Sequence, residues 1–135
     1  MVTNRNRTFV VDLCRKILLS DSDIRFAGIA NKMGKLIACE FRQDVTPLLS
    51  NEEIESSVIK SVLRMRTRED YELKLGRAMY TFTLYEKVKR ASIPLQHEDY
   101  ALLMTSFEKQ ATHEDIILKK IFPILQSNDL ILASN

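Results

Sequence analysis

The first clear periodicity in the sequence lies between positions 8 and 19, TFVVDLCRKILL. Apolar side chains recur there at intervals of three and four residues, which places them on one side of an α-helix. The members of this stripe are Val10, Leu13, Cys14, Ile17 and Leu18. Serine and aspartate occupy positions 20–23, and both residue types favour helix ends and turns. The pattern therefore predicts an amphipathic helix that ends near residue 20.

Two segments after this helix have the pattern of β-strands. Residues 24–30, IRFAGIA, are mostly apolar, and residues 35–42, KLIACEFR, alternate between polar and apolar side chains. The alternation puts three residues on one face: Ile37, Cys39 and Phe41. The intervening segment, NKMG, contains the Asn and Gly that tight turns favour. We therefore expect a β-hairpin.

A long helix is predicted next, and a capping box marks its start. Ser50 lies three residues before Glu53, so each side chain can bond the backbone amide of the other residue. Ile54, Val58, Val62 and Met65 follow as an apolar stripe with helical spacing. We expect helix up to Gly76, because glycine favours the backbone conformation found after a helix end, with a break near Thr67.

The second half of the chain predicts three more strands and a final helix. Residues 78–88, AMYTFTLYEKV, alternate most clearly, and a shorter strand covers 91–95. Residues 100–107 are apolar on both faces, as in a central strand. Thr112 opens the last helix, which Pro123 should kink or shorten.

Together these elements predict an α+β fold with a five-stranded antiparallel sheet and the order α-β-β-α-β-β-β-α. A chain of 135 residues, 45% of them apolar, has the size and composition of one globular domain, 1–135. We expect its core to span about 8–125 and its termini to be loosely ordered.

No apolar run has the length of a membrane span or a secretory leader, so we expect a cytoplasmic location. There, Cys14 and Cys39 should be small buried residues in reduced form.

The strand at 78–88 is the feature that most suggests a function. Its first part, AMYTFTLY, carries no charge, and the order of elements places it at an edge of the sheet. Open strand edges recruit other chains unless they are covered. We expect this strand to pair with its own copy in a two-fold homodimer or to be covered by the preceding helix. The candidate interface residues are Met79, Tyr80, Thr81, Phe82, Thr83 and Tyr85.

Basic residues cluster along the predicted second helix and shortly after it. The candidates for a basic face are Lys60, Arg64, Arg68, Lys74 and Arg77, of which the first three recur every four residues. Such a face can bind phosphate, an acidic protein or lipid headgroups. The alternative is an ordinary solvated face, because acidic residues at 69–72 are interleaved. The net charge of only +2 gives no reason to expect a nucleic-acid partner.

The sequence contains no recognisable catalytic or cofactor-binding motif. The tripeptide His97-Glu98-Asp99 recurs at positions 113–115, and histidines with carboxylates are common metal ligands. The second copy, however, lies at a helix start, where acidic residues are expected, and the first lies in a turn. We therefore expect a cap and a turn instead of a metal site, no cofactor and no enzymatic activity.

The order of elements resembles the roadblock family, whose relatives include longin and profilin-like domains. The resemblance covers residues 8–125 and implies the sheet order 2-1-5-4-3, with strand 78–88 at the edge. It also implies dimers formed through that strand and helix 51–66, and a role as a platform for small GTPases. Two stretches, IRFAGIANKMGKLIACEFR (24–42) and LGRAMYTFTLYEKVKR (75–90), further resemble a small archaeal domain family without an assigned activity.

The expected function is a homodimeric, non-enzymatic regulatory or scaffolding module that presents a basic helical face to an acidic protein partner, with a small GTPase as one such partner. The alternative is a sensor domain of the PAS or GAF kind, in which a five-stranded sheet and helices enclose a small ligand. Gly28, Met79 and Met104 would line its pocket. A platform requires a dimer, whereas a sensor requires a cavity and a ligand.

Overall fold

The computed structural model describes residues 4–132. Its strands are β1 (Ile24–Asn31), β2 (Leu36–Phe41), β3 (Thr81–Leu84), β4 (Val88–Pro94) and β5 (Tyr100–Glu108). Its helices are α1 (Asn4–Leu19), α2 (Asn51–Glu69), the single turn α3 (Glu72–Leu75), α4 (His113–Ile116) and α5 (Phe122–Ser127), and a π-helical turn, Ile117–Ile121, joins the last two. The predicted order of elements is confirmed, with α3 as an additional turn.

The five strands form one antiparallel sheet in the order β2-β1-β5-β4-β3. This is the sheet order 2-1-5-4-3 that the roadblock resemblance implied. Strand β5 lies in the centre, and residues 100–105 of it are buried. A strand that is covered on both faces has to be apolar on both, which explains the unbroken run YALLM.

Helices cover the two faces of the sheet unequally. On one face, α1 and the C-terminal helices enclose the larger core cluster, which includes Val10, Ile17, Phe107 and Ile121. On the other face α2 packs alone, with Val58 and Val62 in a smaller cluster that contains Phe26, Leu102 and Met104. The faces of both predicted amphipathic helices are therefore confirmed.

Helix α2 begins as predicted and ends close to the predicted break. The Glu53 amide donates to Ser50 Oγ (3.1 Å), and the Ser50 amide donates to Glu53 Oε1 (2.9 Å). The helix ends at Glu69, two residues after Thr67, and α3 follows after a short turn. Gly76 closes α3 with a φ of 82°, as its type predicted.

The predicted face of β2 is wrong at one position. Ile29 pairs with Ala38, but Ala30 pairs with Leu36, so β2 carries one extra residue there. As a result, Ile37 packs towards α1, while Leu36 and Phe41 pack towards α2. Cys39 lies on the α2 face and is exposed, contrary to prediction, whereas Cys14 is buried as predicted. Both cysteines are free thiols.

The core extends beyond residue 125, where the sequence pattern ended. Leu130 and Ile131 are buried, and the Gln96 amide donates to the Leu130 carbonyl (2.7 Å). Helix α1 likewise begins at Asn4, before the predicted start. The predicted loose termini include residues 1–3 and 133–135, which lie outside the described residues.

Pro123 perturbs the last helix, as predicted, without ending it. The π-helical turn directly precedes it, and the Phe122 amide donates to the Ile117 carbonyl, five residues back. Proline has no amide hydrogen to donate within a helix, so a local change in the helical hydrogen-bond pattern beside it is expected.

Gly34 fixes the distance between the β1–β2 hairpin and α2. Its φ is 82°, a conformation that side chains disfavour, and an added Cβ would lie 3.2 Å from the Ile59 Cα. Gly76 has the same φ, but an added Cβ there would have no heavy atom within 4 Å. A substitution at Gly76 therefore tests backbone strain alone, whereas a substitution at Gly34 tests backbone strain together with close packing.

We predict that Gly34→Ala destabilises the protein more than Gly76→Ala, as measured by urea unfolding. Both positions have a positive φ, so backbone strain should cost about 1–3 kcal/mol at each. At Gly34, displacement of α2 should add roughly 1–3 kcal/mol. Equal losses at both positions would contradict a close contact between the hairpin and α2.

Candidate interaction surface at the third strand

Strand β3 lies at an edge of the sheet, as predicted, but it is shorter than predicted. It contains only residues 81–84, and Val88 already belongs to β4. The Tyr85 amide donates to the Val88 carbonyl (2.9 Å) and closes a hairpin around Glu86 and Lys87. The alternation that predicted one strand over 78–88 therefore includes a hairpin turn and the first residue of β4.

The open edge of β3 presents the backbone groups of two residues. Register pairs Thr83 with Arg90 and Leu84 with Lys89. In an antiparallel ladder, bonded and non-bonded pairs alternate, and the Tyr85–Val88 pair is bonded. Thr81 and Thr83 therefore bond β4, whereas the amides and carbonyls of Phe82 and Leu84 point away from the sheet. These groups are available to another strand.

Two of the six candidate interface residues contact aromatic side chains of the same chain. The Tyr80 ring meets Phe122 edge-to-face, with centroids 6.4 Å apart. The Phe82 ring stacks on His113, with centroids 3.8 Å apart and planes 7° from parallel. Both side chains thus anchor the edge to the C-terminal helices and contribute little free surface.

The other interface candidates differ in what they offer. Met79 and Tyr85 are each 47% exposed, and Leu84, which was not among the candidates, is 59% exposed. Thr81 and Thr83 point to the face of the sheet that carries α2, where they line a cleft beside that helix. The apolar surface at the edge therefore comes mainly from Met79, Leu84 and Tyr85. Leu84 lies on the same face of the strand as Tyr80 and Phe82, at the last position of β3.

The candidates for a basic face divide into two groups. Lys60, Arg64 and Arg68 lie on the continuous helix α2 and are exposed, as predicted. Lys74 and Arg77 follow the break at residues 70–71 and do not extend that face. Arg77 lines a separate depression beside His97 and the end of β4. Three of the candidates therefore share helix α2, and Lys74 and Arg77 lie outside it.

A cleft of about 360 Å³ separates α2 from β3 and β4, and we call it the arginine cleft. Its cationic groups are Arg64 and Arg68 from α2 and Arg90 from β4. Five residues with hydroxyl side chains also line it: Ser61, Thr81, Thr83, Tyr85 and Ser92. Lys89, the neighbour of Arg90, turns to the other face and donates to the Ala111 carbonyl (2.6 Å). The two neighbours point to opposite faces because side chains alternate along a strand.

A second groove lies on the other side of α2, beside the open edge of β2. It measures about 510 Å³ and is lined largely by apolar side chains, among them Met33, Leu36, Phe41, Ile54 and Ile59. Exposed Cys39 also lines this groove. Partial burial and the charge of Glu40 raise the pKa of the Cys39 thiol.

The two histidines lie in unrelated surroundings. His97 accepts a hydrogen bond from the Asp99 amide (2.9 Å) and stacks on Tyr100, and His113 is the first residue of α4. Within residues 4–132, no group of three potential metal ligands comes together. Partial desolvation and the Lys89 ammonium lower the pKa of His113 below its ordinary value of 6.5.

The structure does not bring together the three residues predicted for a sensor pocket. Gly28 and Met104 pair across β1 and β5, but an added Cβ at Gly28 would lie 2.9 Å from the Phe26 ring. Met79 precedes the distant edge strand β3. Within residues 4–132, no helix combines the length and apolar character needed to cross a membrane.

Comparisons with solved structures identify the fold. The chain superposes on a structure described as MglB with tetrameric arrangement with a TM-score of 0.72, 13% identity, and coverage of 91% of this chain and 87% of the other. The gliding protein MglB of Thermus thermophilus superposes with a TM-score of 0.69 and 13% identity, over 87% of this chain and 84% of the other. A roadblock/LC7 domain of Streptomyces avermitilis superposes with a TM-score of 0.65 and 6% identity, over 87% of this chain and 93% of the other.

The fold of this chain is therefore the roadblock fold, and the resemblance inferred from the order of elements is confirmed at that level. At such low identity the likeness concerns the fold alone. No protein-family model matches the sequence, and no curated protein matches it significantly.

We predict that protonation of His113 destabilises the native state. Its folded pKa is lowered, so the unfolded chain binds the proton more tightly and stability falls as pH drops below about 6.5. His113→Phe preserves a ring against Phe82 and removes the titration. Urea midpoints measured from neutral to mildly acidic pH should fall less steeply for this variant than for wild type. Identical slopes would contradict a lowered His113 pKa.

We also predict that iodoacetamide labels the two cysteines unequally. Burial, with the nearby Cys39 and Glu40, raises the pKa of Cys14 to about 12, so its reactive thiolate is scarce. At mildly alkaline pH the native protein should carry its label on Cys39, and mass spectrometry after unfolding in urea should find both residues labelled. Native labelling should disappear in Cys39→Ser. Labelling of Cys14 in the native state would contradict its burial.

Proposed function

We propose that this protein is a non-enzymatic, homodimeric regulatory or scaffolding module that presents a surface to a protein partner. The observation that carries the proposal is the open edge of β3, where two residues offer unpaired backbone groups beside exposed Met79, Leu84 and Tyr85. Unprotected edges of this kind associate with other strands. No Lys, Pro or bulge within β3 blocks such pairing.

The partner strand at this edge is β3 of a second copy. Two antiparallel copies related by a two-fold axis would pair Phe82 and Leu84 reciprocally and join two five-stranded sheets into one. The solved structure described as MglB with tetrameric arrangement supports self-association for this fold. The roadblock resemblance supports the use of β3 and α2 in particular.

The surface offered to a different protein lies on α2. Lys60, Arg64 and Arg68 project from one exposed face of that helix, which suits an acidic partner. A small GTPase is the partner class that the roadblock resemblance implies. We propose a cytoplasmic setting for this interaction.

We predict that Leu84→Pro converts a wild-type dimer into a folded monomer. Proline removes an amide that points away from the sheet, so the β3–β4 ladder keeps its hydrogen bonds while the open edge loses a donor. The measurement is solution mass by light scattering over a concentration series, with circular dichroism to confirm folding. Leu84→Ala is the matched control, because it removes the side chain and keeps the amide.

The two variants separate the contributions at the edge. Leu84→Ala should weaken the dimer and Leu84→Pro should abolish it. A wild-type monomer at all concentrations would refute the dimer. A folded Leu84→Pro dimer would place the interface elsewhere on the molecule.

A further inference from the structure

The arginine cleft concentrates positive charge without compensation from the chain itself. None of the residues that line it is acidic. Among residues 4–132, no carboxylate forms an ion pair with Arg64, Arg68 or Arg90. Glu69 and Glu72 border the next depression along α2, which Arg68 also reaches, yet neither pairs with it. Three neighbouring guanidinium groups repel one another, and a bound anion would relieve that repulsion.

The cleft also holds its donors on two rigid elements. Arg90 is only partly exposed, and its Nη2 lies 3.2 Å from Ser57 Oγ, which ties the strand residue to α2. Arg64 and Arg68 are one helical turn apart on the same side of α2. The hydroxyls of Thr81, Thr83 and Ser92 come from the sheet opposite them. Guanidinium groups bind phosphate through paired N–H donors, and hydroxyls supply further donors.

We propose that the arginine cleft binds the phosphate group of a small, freely diffusing ligand. A volume of about 360 Å³ lies in the range of small-molecule sites. The cleft therefore has room for a phosphate and a compact organic group attached to it. Met104, which lines its floor, provides an apolar contact for that group. The site goes beyond the proposed dimer and does not depend on it.

Inorganic phosphate and pyrophosphate are the probes for this site. Isothermal titration calorimetry at fixed ionic strength should give saturable binding to the wild-type protein, tighter for pyrophosphate because it contacts more donors. The double variant Arg64→Ala, Arg68→Ala should weaken binding by roughly tenfold or more, since hydrogen bonds to charged groups are among the stronger ones. Both residues are exposed on a helix, so the variant should fold.

Lys16→Ala with Lys74→Ala is the matched control, because both lysines are exposed and lie outside α2. It also removes two positive charges, but neither lysine lines the arginine cleft. The control should bind pyrophosphate as wild type does. Equal weakening in both double variants would show general attraction to a basic surface and overturn the proposal. The absence of saturable binding in wild type would overturn it as well.

Further measurements separate this site from its alternatives. Leu84→Pro should still bind pyrophosphate, so a refuted dimer and a refuted phosphate site give different results. Sedimentation with phosphatidylcholine vesicles, with and without phosphatidylinositol phosphate, tests a lipid source of the phosphate. We expect no pelleting. Pelleting that requires the phosphorylated lipid and is lost in the Arg64→Ala, Arg68→Ala variant would overturn the assignment to a free ligand.

Discussion

Five antiparallel strands about 4.8 Å apart make a sheet roughly 20 Å wide, whereas one helix with its side chains is only about 10 Å across. The face that carries α1 and the C-terminal helices has enough cover for that width. The opposite face has α2 alone, seated over Phe26, Leu102 and Met104 in the middle of the sheet. Strips of sheet therefore stay uncovered on both sides of α2. One strip is the apolar groove beside β2, and the other is the arginine cleft beside β3. Both candidate surfaces exist because a single helix is too narrow to cover this face of the sheet.

The position of α2 across the sheet decides the width of each strip, and a few contacts set it. Gly34 allows the helix backbone at Ile59 to come close to the β1–β2 hairpin. The Arg66 guanidinium donates to the Lys32 carbonyl on that side, and Arg90 reaches Ser57 from the other side. A side chain at Gly34 would push α2 towards β3 and narrow the arginine cleft. Packing at one edge of the sheet is thereby coupled to the geometry at the other.

The sequence predicted most of the fold because its signals are local. The stripe from Val10 to Leu18, the capping box at Ser50 and the apolar run of β5 each report a short segment that its own surroundings determine. The wrong predictions concern segments whose structure depends on contacts with residues that are distant in the sequence. The extra residue near Ile37 depends on pairing with β1, and the end of β3 depends on where the Tyr85–Val88 pair closes. The arginine cleft needs α2 and β4 side by side, so Arg90 has no local signal that links it to Arg64.

Symmetry connects the two proposals about β3 and the arginine cleft. Antiparallel pairing of two β3 strands requires a two-fold axis normal to the sheet, which puts both α2 helices on the same face and runs them in opposite directions. The two arginine clefts then lie next to each other, and six guanidinium groups share one region. Like charges brought together in this way repel one another. Phosphate bound in both clefts would reduce this repulsion and tighten the dimer, and by linkage the dimer would bind phosphate more tightly than the monomer. The two proposals, one about the β3 edge and one about the arginine cleft, are therefore energetically coupled through the symmetry of the pairing.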